Sequence, residues 1–264
     1  MRFTIPVSRF IPFLSYHHSL IAVTITAIVL LSIMLGGCSS YSALTNVFIL
    51  GLYYVNSTVS DSNPIERNIS DTLRSLKGSS QLEVRVGYFG VCVRQRGIVW
   101  LCSSDSSGLA EQIGPENDQL NLIGLALKFQ NDVLFSGTLF MTIILGFLAC
   151  LLLATFPGWH KERDETGSDI NVKPFPSRNA LQLALSCLFV ASVCGLIASL
   201  WQHIGSVGAA AMAESANYGN VKSEIGAGAM AMSWIAFALL MVACIGVLVM
   251  MLSIIVLDHL TDNN

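Results

Sequence analysis

The chain has 264 residues, of which 12% are charged and 53% apolar, with a formal net charge of −3 and a mean hydropathy of +0.63. That balance excludes an ordinary soluble domain, where about a quarter of residues are charged, and a weakly acidic chain gives no reason to expect a nucleic-acid partner. Four apolar stretches, 20–35, 133–156, 180–204 and 229–257, contain no Asp, Glu, Lys or Arg, and a spanning helix needs about 20 such residues. The expected fold is therefore an all-α membrane bundle of four transmembrane helices, with the lipid bilayer as its first partner.

Residues 1–19 form a tail with Arg2 and Arg9 and no acid, ending at His17 and His18. The first span, 20–35, is the shortest. Leu35-Gly36-Gly37-Cys38 imitates a bacterial lipoprotein cleavage site, so one alternative is a cleaved signal that leaves three spans and a lipidated Cys38. The long preceding tail favours a retained helix that Gly36 and Gly37 end.

The first loop, 36–132, opens with an apolar run at 46–55 that reads as a strand. Residues 61–80 are polar, with turns at Asn63-Pro64 and Gly78-Ser79-Ser80. Leu82, Val84 and Val86 then alternate with Glu83, Arg85 and Gly87, the period of a half-buried strand. A turn at 94–97 and a second β-like run at 98–101 follow. Leu120, Ile123 and Leu127 share a helical face that leads into the second span.

Lys161, Arg163, Lys173 and Arg178 lie in the loop 157–179 after that span, whereas the loop 205–228 after the third holds only Lys222. The positive-inside rule then makes the tail 1–19, the loop 157–179 and the tail 258–264 cytoplasmic, and both longer loops extracellular. Asn56-Ser57-Thr58 and Asn68-Ile69-Ser70 are glycosylation sequons, and both fall in the first loop, as that topology requires. The domain plan is thus four spans with a small extracellular β-domain in the first loop.

Of seven cysteines, Cys150, Cys187, Cys194 and Cys244 lie within spans and suit helix packing. Cys92 and Cys102 flank Gly97 evenly, so an antiparallel hairpin would set them opposite one another at bridging distance, in an oxidising compartment. Two unrelated cysteines in a long loop are the alternative. Cys38 is left over: free, lipidated or bonded to a partner.

Gly87 and Gly90 permit a bulge or close backbone approach around Tyr88 and Phe89, whose rings should point to opposite faces if the strand continues through them. One ring could anchor the sheet and the other meet a partner, or both could pack a small sheet. Gly146, Cys150 and Ala154, and Ala191, Gly195 and Ser199, form small-residue ridges for helix packing, with self-association as a further use. No charged residue within a span marks an ion or proton path, and no catalytic or metal-ligand constellation appears, so neither an enzyme nor a cofactor is expected. Asp105, Glu111, Glu116 and Asp118 lack the spacing of an EF-hand loop.

The run Gly87-Tyr88-Phe89-Gly90-Val91-Cys92, followed by Cys102, resembles the Gly-aromatic-aromatic-Gly-x-Cys…Cys signature of the fungal mating-factor-induced calcium regulators and membrane fusion proteins, which are claudin-like tetraspans. It departs from the animal claudin pattern, which carries Gly-Leu-Trp before its first cysteine, so paracellular sealing is not implied. The resemblance implies a claudin-like fold at the plasma membrane, at cell-cell contacts in mating. The implied role is promotion of membrane fusion and the associated calcium influx, as a regulator and not the pore. Implied partners are a calcium-channel complex or a partner-cell surface protein. Fungal cortical proteins that organise plasma-membrane domains share the general plan, which makes a structural organiser the alternative.

Overall fold

A computed structural model describes residues 16–39, 44–55, 64–78, 80–95, 97, 99–156, 160–163, 169–172 and 177–262. Asn56, Arg2, Arg9 and Lys173, all used above, lie outside the described residues. The order of elements is α1 (Tyr16–Leu35), β1 (Leu50–Tyr54), α2 (Pro64–Lys77), β2 (Leu82–Val86), β3 (Val91–Gln95), β4 (Trp100–Ser103), α3 (Ser106–Ile113), α4 (Leu122–Asp132), α5 (Gly137–Ala154), β5 (His160–Arg163), β6 (Asp169–Val172), α6 (Arg178–Ala216), β7 (Val221–Ile225) and α7 (Ala227–Asp262). Four of the helices, α1, α5, α6 and α7, are long and apolar enough to cross a membrane, and with the antiparallel sheet they make a four-helix membrane-spanning bundle of claudin-like type.

The helix limits differ from those expected. Residues 133–136 belong to no helix, because the Val133 amide closes α4 onto the Phe129 carbonyl (3.0 Å) and the Val133 carbonyl accepts from Trp201 Nε1 (2.8 Å). The third spanning helix continues to Ala216, well past residue 204. Its extension is rich in Ala, the strongest helix former. Residues 157–179, read as a linker, contain the β5–β6 hairpin.

The chain divides into two compact units, to both of which the four long helices contribute. The first comprises Met1–Val29, Phe140–Gly195 and Ile235–Asn264. It is packed through small residues: Ala149, Ala184, Ala191, Ala236 and Ala243 are fully buried. A Cβ added at Gly146 would sit 3.4 Å from Ile28, and one at Gly195 would sit 3.6 Å from Leu240 and Thr142. Both glycines of the expected ridges therefore lie in van der Waals contact with neighbouring helices, although Ala154 is exposed and the closest approach among the described glycines of this unit is at Gly246, where a Cβ would collide with Leu20. Tyr16 ties α1 to α7 by donating to the Gly246 carbonyl at 3.1 Å.

The second unit comprises Leu30–Leu139 and Leu196–Trp234. Its sheet runs β4-β3-β2-β1-β7, with every neighbouring pair antiparallel. The fifth strand comes from the short second loop, which local patterning does not reveal. Leu82, Val84 and Val86 point to the core as their alternation requires, joined by Leu50, Leu52, Val91 and Val93, and α4 packs on β1 and β2.

α2 occupies the stretch read as polar turns. Pro64 at its first position, Glu66 in its first turn and Arg74 and Lys77 in its last are helix-favouring signals. Its inner face is held by Ser70, whose hydroxyl donates to the Tyr218 carbonyl (3.0 Å), and by Lys77, whose ammonium donates to the Val55 carbonyl (2.9 Å). Ile65, Ile69 and Leu76 stay exposed.

Candidate functional site: the glycine-aromatic turn and the disulfide hairpin

β2 and β3 meet through a tight turn closed by the Gly87 amide donating to the Gly90 carbonyl at 2.9 Å. The chain leaving α1 passes directly beneath it. A Cβ on Gly87 would collide with the Gly37 carbonyl, and one on Gly90 with the Cys38 carbonyl. Backbone lies against backbone here, and no side chain can swing away to make room, so both positions require glycine.

α4 holds the turn from another direction. Gln130 Nε2 points at three of its carbonyls, those of Gly87 (3.0 Å), Tyr88 (3.3 Å) and Gly90 (3.5 Å). Gln130 was not among the expected site residues; a single glutamine far along the chain carries no local signal.

The two rings diverge. Tyr88 is 7% exposed and Phe89 42%. The Tyr88 hydroxyl donates to Oε1 of the buried Gln202 on α6 at 3.4 Å, and burial raises the pKa of the phenol. Tyr88 is therefore the anchor, and Phe89 the ring presented outward.

Cys92 and Cys102 are directly paired across β3 and β4, and a disulfide joins them. The intervening turn holds Gly97 at φ +72°, a value an L side chain adopts at a cost. Cys38, Phe48 and Cys92 form a buried cluster, against which Trp100 and Cys102 pack. The Cys38 thiol is free, and desolvation pushes its pKa up to about 12, partly offset by Arg85. A thiol in that state is a poor nucleophile.

Arg85 lies between two aromatic faces, 4.5 Å from the Phe48 ring centre and 4.4 Å from that of Trp100, and Arg94 stacks on Trp100 at 4.7 Å. Glu83 pairs with both guanidinium groups, and Arg85 also donates to the Thr45 carbonyl at 3.1 Å. Such stacked, paired cations stabilise the face that carries the disulfide.

Two of the acidic residues after the hairpin, Asp105 and Asp118, hold helix N-termini. Asp105 caps α3, accepting from the Gly108 amide at 3.2 Å. Asn121 is the N-cap of α4, accepting from the Gly124 amide at 3.2 Å, and Asp118 reinforces the same terminus, accepting from the amides of Leu122 (2.6 Å) and Ile123 (2.9 Å) and from the Tyr54 hydroxyl (2.9 Å). Among the described residues no group of three or more His, Cys, Asp or Glu is placed to hold a metal ion. Asn68, the described sequon, is exposed on α2, while its Ser70 is buried beneath Asn220, whose side-chain amide donates to the Ser70 carbonyl at 3.0 Å.

The family model for the Ca2+ regulator and membrane fusion protein Fig1 matches residues 69–253, most of the chain. The chain belongs to the Fig1 family. No curated protein matches it. The Fig1 match takes in the glycine-aromatic turn, the disulfide hairpin, Gln130 and Gln202, together with three of the four long helices. Fig1 proteins are regulators and fusion proteins, not enzymes.

Proposed function

We infer that the chain promotes membrane fusion in mating, and the accompanying calcium influx, as a regulator at the plasma membrane and not as the pore. The observation that carries this reading is the division of labour within the Fig1 motif: the glycines, Tyr88 and the disulfide build a rigid mount, and Phe89 is what the mount presents. A side chain kept outward by so much buried scaffolding fits contact with a partner, either a calcium-channel complex or a protein on the opposing cell. The spans carry no Asp, Glu, Lys or Arg, which favours regulation over conduction. In this reading both termini are cytoplasmic, both loops between spans on the far side are extracellular, Asn68 and Asn56 carry glycans, and the protein gathers at cell-cell contacts.

Phe89→Ala tests it. The substitution leaves both glycines, Tyr88 and the bridge in place, so surface abundance should stay normal while fusion and calcium uptake fall in a strain lacking the wild-type gene. Wild-type fusion and uptake at equal surface abundance would remove Phe89 from the mechanism. Normal fusion together with dispersed cortical domains would instead support the structural organiser.

A further inference from the structure

The sequon Asn68-Ile69-Ser70 lies in the interior of α2, and the fold divides it between two sides of that helix. Residues two apart on a helix point about 200° apart, so the Asn68 amide and the Ser70 hydroxyl do not share a face. Asn68 is exposed. Ser70 is 3% exposed, and its hydroxyl is used in both senses, donating to the Tyr218 carbonyl at 3.0 Å and accepting from the Asn220 side-chain amide at 3.3 Å. Asn220 is fully buried over it.

A transferase that accepts only Asn-x-Ser or Asn-x-Thr must read the hydroxyl as well as the amide. On the closed fold it meets an amide whose hydroxyl lies behind the helix, bonded and covered. The sequon can be read only where α2 is unwound and off Tyr218 and Asn220.

Chain order supplies that state. Ser70 and Asn220 are 150 residues apart, and α5 and α6 are made between them. At about 5–20 residues per second of synthesis, the first loop waits roughly 8–30 s for its cover. During that wait α2 is a helix of 14 residues, a length at which an isolated helix is marginal in water. The bond from Lys77 to the Val55 carbonyl ties down only its last turn.

We propose that Asn68 is a time-limited modification site, open to an oligosaccharide until the second loop docks on Ser70 and shut afterwards. The inference rests on the extracellular placement of the first loop. Transfer forms a bond between Asn68 Nδ2 and the anomeric carbon of a sugar carried on a polyprenyl diphosphate. The bond from that carbon to the diphosphate breaks, the diphosphate leaves with the electron pair, and the amide gives up one proton. The glycan then points away from Tyr218 and Asn220, so the fold closes with it in place. Occupancy of Asn68 thus records whether transfer outran docking.

The test follows the full chain carrying Asn56→Gln, in which gel mobility reports Asn68 alone, in cells whose export from the endoplasmic reticulum is blocked. Uninterrupted synthesis is expected to give the glycosylated form. Chain made under a reversible inhibitor of oligosaccharide transfer, then released from it with translation stopped, should carry roughly tenfold less, because modification now waits on local opening of α2. Asn220→Arg, too large for the space over Ser70, should recover late modification, and a variant that stays bare overturns the proposal. Late modification of the parent chain to the level of uninterrupted synthesis also overturns it and leaves the topology standing. Asn68 bare under uninterrupted synthesis overturns it as well, and the topology falls with it if Asn56 is bare too. Ser70→Cys keeps the test decisive if Asn220→Arg does not fold: peptide mapping should find that thiol unlabelled by maleimide in native membranes and labelled after denaturation. Prompt labelling in native membranes would mean that Ser70 is open in the folded chain, and the proposal fails.

Discussion

At Gly90 the distance between two backbones decides what a side chain would cost. Valine there must displace the Cys38 carbonyl, and a fixed main chain yields only by moving α1's exit from the sheet, so a loss of about 3 kcal/mol or more is expected. Gln130→Ala removes one donor shared by three carbonyls and should cost about 1–3 kcal/mol. Thermal unfolding in detergent should rank Gly90→Val below Gln130→Ala and both below wild type. Equal melting temperatures for Gly90→Val and wild type would mean that the turn does not lie on the Cys38 backbone. The buried Cys38 thiol makes a separate prediction. Its folded pKa, near 12, exceeds the ordinary value of 9.0, so above pH 9 the unfolded chain loses that proton while the folded chain keeps it. The thiol's contribution to stability is whole below pH 9 and declines toward pH 12. Cys38→Ala should flatten the fall in melting temperature across that window, and maleimide at pH 8 should label Cys38 only after unfolding.

Among the elements, α4 connects most of what matters. Its apolar face packs on β1 and β2, Gln130 grips the motif, and its start is held by Asp118. Two amide donors at a helix N-terminus and the Tyr54 hydroxyl converge on that one carboxylate. Asp118→Asn retains one acceptor oxygen but loses the charge, and a loss of about 1–2 kcal/mol is expected from capping and dipole effects together. If calcium influx instead changed with no loss of stability, Asp118 would have a role in ion handling that its hydrogen bonds do not suggest. α2 shows the opposite relation between pattern and packing. Its buried face is polar, through Ser70 and Lys77, and its apolar residues lie outside. Ser70 is also the sequon's hydroxyl residue, so Asn68→Gln is a cleaner probe of glycosylation than Ser70→Ala, which would remove the hydroxyl that donates to the Tyr218 carbonyl and accepts from the Asn220 side-chain amide at 3.3 Å.

For the whole molecule, orientation is the property on which the functional reading depends. Glycosidase treatment should raise gel mobility, and Asn56→Gln with Asn68→Gln should abolish the change. A C-terminal tag should be inaccessible to antibody on intact cells, and staining of intact cells would reverse the proposed topology. The four charge-free stretches determined by themselves that the chain enters a bilayer, because no tertiary context lowers the cost of exposing that much apolar surface to water. Short-range repetition was equally sufficient for β2, whose alternation is visible within five residues, for the small-residue ridges, and for the opposite facing of Cys92 and Cys102 about Gly97. Tertiary structure alone decided what depends on contacts distant in sequence: that β7, from the second loop, completes the sheet; that Gln130 and Gln202 hold the motif from two helices; and that Tyr88 turns in while Phe89 turns out. The strand ends at Val86, so alternation does not reach those rings: the tight turn at 87–90 makes them diverge, and the packing of α4 and α6 makes one side an interior.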